Sequence, residues 1–327
     1  LNATGNSASN FLSGNFGNNT LNGMGGIDNY AGGTGNDTFI VDDTAETVTE
    51  LSNQGIDHVI SSATYTLGLN VENLTLTGTA NIDGTGNNLV NTITGNSGNN
   101  VLSGGALADT YVIQNAGDVV VEVASLPNEF DLIISSVTHT MEAEVENMTL
   151  TGNLALNGIG NAMDNTIRGN LGANTLMGLD GDDVLGADIT DSLDGGNGSD
   201  TGLTTFNTNL VNLLASGQWV SIENITLDGT ASIHAVGNAA VNTITGNSAI
   251  NTITGGGGAD TLIGLGGNDI YIVTDSATYI DEVKSGSGGK DLVRSTVSFG
   301  LDVNVDDLTL LGTADIDGFG NNSANTI

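Results

Sequence analysis

Residues 32–40 read GGTGNDTFI, and GMGGIDNYA stands directly before them at 23–31. A glycine-rich hook followed by one aspartate thus recurs with a period of nine residues. Glycine at the first places lets the chain fold back sharply and turn its carbonyl oxygens inward. The aspartate at the sixth place adds a hard carboxylate to that ring of oxygens. The residue two places on, Tyr30 or Phe39, is apolar and starts a short strand facing a core. Hard oxygens in a loose ring suit calcium far better than zinc or copper.

The same period runs through the chain in blocks. GNSASNFLS and GNFGNNTLN precede the opening pair from residue 5, and GNNLVNTIT, GNSGNNVLS and GGALADTYV follow from 86. A third block starts at 160 and contains GLDGDDVL, one residue short, then GADITDSLD and GGNGSDTGL. The fourth starts at 237 and includes GGGGADTLI and GLGGNDIYI. Each block leads into a second stretch. GIDHVISSATYTLGLNVENLTLTGTANIDGTGN (55–87) returns at 129–161 and 289–321, and its latter half returns at 219–238. Gly5, Gly86, Gly160, Gly237 and Gly320 mark one phase of this longer period of 74 to 83 residues. The units are 5–85, 86–159, 160–236 and 237–319, with 320–327 opening a fifth.

No window carries the i, i+3, i+4, i+7 pattern of an amphipathic helix. Short Val/Ile/Leu/Thr strands alternate in twos and end at glycine. Regular short strands with glycine turns predict an all-β, parallel β-solenoid, each coil burying its apolar residues against the next. One continuous solenoid over residues 1–327 is the expected organisation. The two ends share a phase and lack polar caps, so end-to-end pairing of copies, or continuation into a longer array, is expected.

The composition narrows the function. Four Lys and Arg stand against 38 Asp and Glu, a formal net charge of −34. That balance repels nucleic acid and anionic membranes, and it strains any compact state until cations neutralise it. The 38% of hydrophobic residues, regularly spaced, argues for a folded metal-bound form rather than disorder. No apolar run is long enough for a membrane-spanning helix, and no cysteine is present for disulfides.

The tandem GGxGxDx(apolar)x motif resembles the RTX, hemolysin-type calcium-binding repeats, best at 32–40 and 255–263 and closely at 23–31, 178–185, 195–203 and 264–272. The VENLTLTGTA stretch is similar to repeats of large bacterial calcium-binding surface proteins. The resemblance implies a parallel β-roll, Ca2+ held between glycine loops, type I export and folding outside the cell. Carried onto this chain, the sixth-place carboxylates are Asp28, Asp37, Asp109, Asp183, Asp191, Asp200, Asp260 and Asp269. The loop glycines are Gly23, Gly25, Gly32, Gly33, Gly35, Gly195, Gly196, Gly198, Gly255, Gly256, Gly258, Gly264, Gly266 and Gly267. Ala106 and Leu107 replace turn residues in the loop of Asp109.

Elsewhere the sixth place is Asn: 10, 19, 91, 100, 165, 174, 242, 251 and 325. With 18 residues per coil, Asn10 faces Asp28, Asn19 Asp37, Asn91 Asp109, Asn242 Asp260 and Asn251 Asp269. Asp183 and Asp200, 17 apart, form the Asp–Asp pair. Coils with Asn alone read as hydrogen-bonded structural ladders.

A second acidic set repeats with the long period: Glu50, Glu122 and Glu282, and Asp57, Asp131 and Asp291. A solvated, repulsive edge explains it better than further calcium ligands. The sequons at Asn73, Asn147 and Asn224 share a phase with Asp307, which points to an oxygen acceptor in a turn. His139 takes the place of Tyr65 and Phe299 and reads as a packing residue, as does Trp219. Lys284, Lys290 and Arg294 pair with nearby acids or an adjacent chain. No nucleophile, HExxH or Cys/His constellation indicates catalysis.

The expected function is therefore a non-catalytic, extracellular, calcium-binding repeat region of a bacterial surface adhesin, surface-layer or matrix filament protein. Self-association or lateral surface assembly accompanies it, with cell-surface polysaccharide as a candidate ligand. The alternative is the C-terminal calcium-binding secretion module of a toxin, hydrolase or epimerase.

Overall fold

The computed structural model describes residues 2–123, 129–284 and 286–327. The protein is an all-β, parallel β-solenoid, and its chain divides into two compact units, Leu1–Asn165 and Thr166–Ile327. Alternation in twos builds both. Along Thr38–Val41 and Asn73–Leu76 every second side chain is buried, as expected for strands with one face on a core.

In the first unit one face is a run of parallel strands. It passes through Thr20–Asn22, Thr38–Val41, His58–Ser61, Asn73–Leu76, Thr92–Thr94, Thr110–Ile113, Leu132–Ser135 and Asn147–Leu150. The register aligns one residue per coil into a single file: Leu21, Phe39, Val59, Leu74, Ile93, Tyr111, Ile133 and Met148. All are buried. Shorter strands, such as Phe11–Ser13, Asn29–Ala31 and Val101–Ser103, supply the other wall. There Leu12, Tyr30 and Val48 form one file, and Tyr65, Gly84, Leu102 and Val120 another. Gly84 carries no side chain because Leu74 and Ile93 of the facing file occupy the space its Cβ would take.

The second unit repeats this plan with one substitution of volume. Its file runs Ile167, Leu185, Gly202, Ile225, Ile244, Leu262 and Ile280. The gap at Gly202 is filled from across the core by Trp219, which pairs with Leu193 on the other wall. Trp219 is fully buried and meets Phe206 edge to face, ring centroids 6.3 Å apart. Trp219 is thus a packing residue, as expected. Trp219→Ala is expected to destabilise this unit by about 3–5 kcal/mol. Denaturant unfolding in saturating calcium measures it.

One element departs from expectation. The chain contains an α-helix, Leu210–Ser216, where no helix was read. The Asn209 side chain caps its first turn by accepting the Asn212 N–H, and Gly217 closes it in the left-handed conformation at φ 71°. Two turns are too short to display an amphipathic period, and this helix stands where the first half of the long-period stretch is missing from the third unit.

The sequon phase also divides. Asn224 and Asp307 act as acceptors, for the Thr243 and Thr326 N–H groups. Asn73 and Asn147 instead donate, to the carbonyls of Asp57 and Asp131. Lys290 pairs with Asp307 at 2.8 Å. His139 is buried, as a packing residue is, and its Nε2 also meets Glu142 at 3.1 Å.

Candidate calcium sites

The sixth place is where the coils differ chemically. Where it is Asn, the side chain closes on itself. Asn91 Oδ1 accepts the Asn87 N–H at 2.7 Å, and its amide donates to the Val71 and Glu72 carbonyls of the coil before. Asn251 does the same with Asn247 and Ile233. Donor and acceptor are both used, so each such Asn closes its own loop and ties it to the coil before.

At six of the eight Asp positions only half of the carboxylate is used. Oδ1 accepts a backbone N–H from the coil before: Asn10 to Asp28 at 2.6 Å, Asn19 to Asp37 at 2.7 Å, and Asn91 to Asp109 at 2.6 Å. In the second unit Asp183 donates to Asp200 at 2.8 Å, Asn242 to Asp260 at 3.0 Å and Asn251 to Asp269 at 2.7 Å. The facing pairs read from the period therefore meet. Oδ2 of Asp28, Asp37, Asp109, Asp200, Asp260 and Asp269 is buried and has no hydrogen-bond partner. Burying a charged oxygen unpaired is strongly unfavourable. Burial accordingly raises the carboxyl pKa of Asp37, Asp200 and Asp260, and pushes that of Asp109 up to about 7 and Asp269 to about 6.

The first-place glycine makes the room. A Cβ on Gly23, Gly32, Gly178, Gly255 or Gly264 would overlap Oδ2 of Asp28, Asp37, Asp183, Asp260 or Asp269 respectively. At Gly178 the carbonyl oxygen of Gly195, one coil on, walls the same space. At Gly195 the carbonyl of Ser221 does so beside Asp200 Oδ2. Carboxylate and carbonyl oxygens converging on space kept open by glycine are the donor set of calcium. Gly33 and Gly35 hold φ 99° and 115° and lie against the backbone of Asn15 and Gly17 in the coil before. Gly196, Gly198, Gly256, Gly258 and Gly267 share this left-handed geometry, while Gly25 and Gly266 lie in the same loops without it. Leu107 adopts φ 71°, so the loop of Asp109 keeps its turn despite losing its glycine.

Asp191 stands apart. Its Oδ1 accepts the Asn174 N–H and its Oδ2 the Asp188 N–H, both at 2.8 Å. It closes its own turn, as Asp118 does with Asn100, Gln114 and Asn115. Asp200→Asn is therefore expected to remove one bound calcium, and Asp191→Asn to remove none. Calcium counted by equilibrium dialysis on each variant checks this. Sites with one or two carboxylates should bind near the ~10⁻⁴–10⁻³ M range of extracellular modules, with Asp183/Asp200 the tightest of the loop sites.

The second acidic set is not a solvated edge. Glu50, Asp57, Asp131, Glu282 and Asp291 are buried, between 0 and 4% exposed. The three aspartates of this set each join a sixth-place aspartate: the Asp37, Asp109 and Asp269 N–H groups donate to Asp57, Asp131 and Asp291.

Among known proteins, the RTX calcium-binding nonapeptide repeat matches in four copies, over residues 4–39, 84–111, 159–189 and 236–271. These spans cover most of the glycine loops, though not the one at 195–203, and calcium is the ion that such repeats bind. No curated protein matches the chain.

Proposed function

We propose that this array of RTX calcium-binding repeats is a non-catalytic scaffold. It belongs to the cell surface or matrix of a bacterium and is rigidified by extracellular calcium after type I export. The observation that supports it most is the set of six buried aspartates, Asp28, Asp37, Asp109, Asp200, Asp260 and Asp269, each tied to the coil before through Oδ1 with Oδ2 buried and unpartnered. Such a chain stays unfolded where calcium is scarce and folds where it reaches millimolar levels, because binding free energy becomes folding free energy. Its length in repeats suits a spacer or filament, with self-association or a surface polysaccharide completing the assembly. The net charge of −34 favours bridging by divalent cations over contact with nucleic acid.

Protease shaving and antibody labelling of intact producing cells test the location. Labelling that depends on calcium and is lost on shaving supports the scaffold. A chain found only in soluble culture medium, attached to a hydrolase or toxin domain, favours the secretion-module reading.

A further inference from the structure

Glu122 and Glu282 have no place in the nonapeptide, yet each converges with a sixth-place aspartate. One carboxylate oxygen each from Asp109, Glu122 and Asp131 lie within 4.8 Å of one another, and so do those of Asp269, Glu282 and Asp291. Asp109 and Asp269 are each 1% exposed, and their unpartnered Oδ2 atoms crowd the Cβ positions of Gly104 and Gly264 together with the Tyr111 and Tyr271 hydroxyls. Around the first cluster, Tyr111 accepts the Gly104 N–H and donates to Glu122 Oε1. Tyr271 holds Glu282 in the same way. Asp131 and Asp291 are fixed by donating their own N–H groups to Glu146 and Asp306. A third set, Asp37, Glu50 and Asp57, shares the 13-residue step from the aspartate to the glutamate. Asp37 and Glu50 both crowd the Cβ position of Gly32, and Asp37, Glu50 and Asp57 each bury an unpartnered oxygen.

Three carboxylates in one dry place repel each other, and no Lys, Arg or His is paired with any of them among the described residues. Neutralisation has to come from solution. The donors are all oxygen, which disfavours zinc and copper. They come from two successive coils and the stretch that joins them, and a set made of carboxylates alone suits calcium better than water-retaining magnesium.

We propose that Asp109–Glu122–Asp131 and Asp269–Glu282–Asp291, with Asp37–Glu50–Asp57 as the third member, are tricarboxylate calcium sites distinct in class from the glycine loops. They stand where a nonapeptide block passes into the longer repeat. Three charged ligands in place of one or two make them the tighter class. The block containing Asp183 and Asp200 lacks the Glu, and Glu223 accepts the Asp200 N–H in place of the Asp, so it serves as an internal control with one carboxylate fewer. The proposal rests on the calcium reading of the loops only through the shared Asp37, Asp109 and Asp269.

The test is calcium binding to the full chain by titration calorimetry, for the wild type and Glu50→Gln/Glu122→Gln/Glu282→Gln. The expected result is a tight class of three ions in the wild type whose dissociation constant rises roughly tenfold or more in the variant. The loop class should persist and the variant should still fold at high calcium. No calcium bound anywhere would instead remove the loop reading. A wild type with loop binding but no tight class, or a folded variant with the tight class intact, overturns the proposal. Should the variant not fold, Tyr111→Phe/Tyr271→Phe keeps all the carboxylates. In a Trp219→Phe background, terbium emission excited through tyrosine should be strong, be competed by calcium, and fall mostly away in the double Phe variant. Unchanged emission there also overturns the proposal.

Discussion

In a metal-free chain at neutral pH, circular dichroism should show the parallel β-sheet largely lost, and millimolar calcium should restore it. The coils offer little to oppose their own charge: 38 acids against four Lys and Arg, with carboxylates stacked on carboxylates. Each ion bound at ten times its dissociation constant stabilises the folded chain by about 1.4 kcal/mol. Six loops with an unpartnered aspartate oxygen together contribute about 8 kcal/mol, which is on the scale of a domain's whole stability. Hydrophobic files such as Leu21–Phe39–Val59 remain available without calcium. They form only if successive coils dock, and docking brings the aspartates into the spaces beside the glycines. In a solenoid each coil is stabilised only by its neighbours, so losing the ions at one block propagates along the stack. Equal β content in metal-free buffer and in calcium would refute this dependence.

Much of this architecture was legible in the sequence because the period constrains it. A coil of 18 residues places Asn19 over Asp37 and Asn251 over Asp269, and the structure joins them by hydrogen bonds. The division between closed Asn loops and half-open Asp loops follows from the chemistry of one position. Three features escaped. The helix Leu210–Ser216 is signalled by Asn209 and Gly217 but spans too few turns to show a period. At Asp191, where GADITD lacks the following glycines, the hidden feature is that each carboxylate oxygen accepts a backbone N–H. The acidic set of Glu50, Glu122 and Glu282 looked solvated because isolated acids avoid interiors. The signal was present in the alternation: Val48 and Glu50, Val120 and Glu122, and Ile280 and Glu282 are two apart and so share the core face. What the sequence hid was the company waiting there, contributed by coils beyond the local strand.

The same acids give the protein opposite pH responses with and without calcium. Burial first, then neighbouring carboxylates, pushes Glu50, Glu122 and Glu282 up to about 7 and Asp57 and Asp131 to about 6. In an unfolded chain such groups titrate near ~4. Between these limits the folded metal-free chain holds more protons than the unfolded one, so its stability falls as pH rises. The contribution of these groups is complete below about pH 4 and is lost through about pH 6–7. Acidifying a metal-free sample from pH 8 to 5 should therefore increase β content and raise the melting temperature. Calcium inverts the sign. The bound ion requires ionised carboxylates, the folded state then carries fewer protons than the unfolded, and stability rises with pH over the same interval. Melting curves in metal-free buffer and in saturating calcium should converge as pH is lowered, because protonation removes the calcium contribution. The Glu50→Gln/Glu122→Gln/Glu282→Gln chain, neutral at those positions at every pH, should flatten the metal-free curve between pH 6 and 8. Parallel curves in the two buffers would show that the buried carboxylates neither hold protons nor exchange them for calcium.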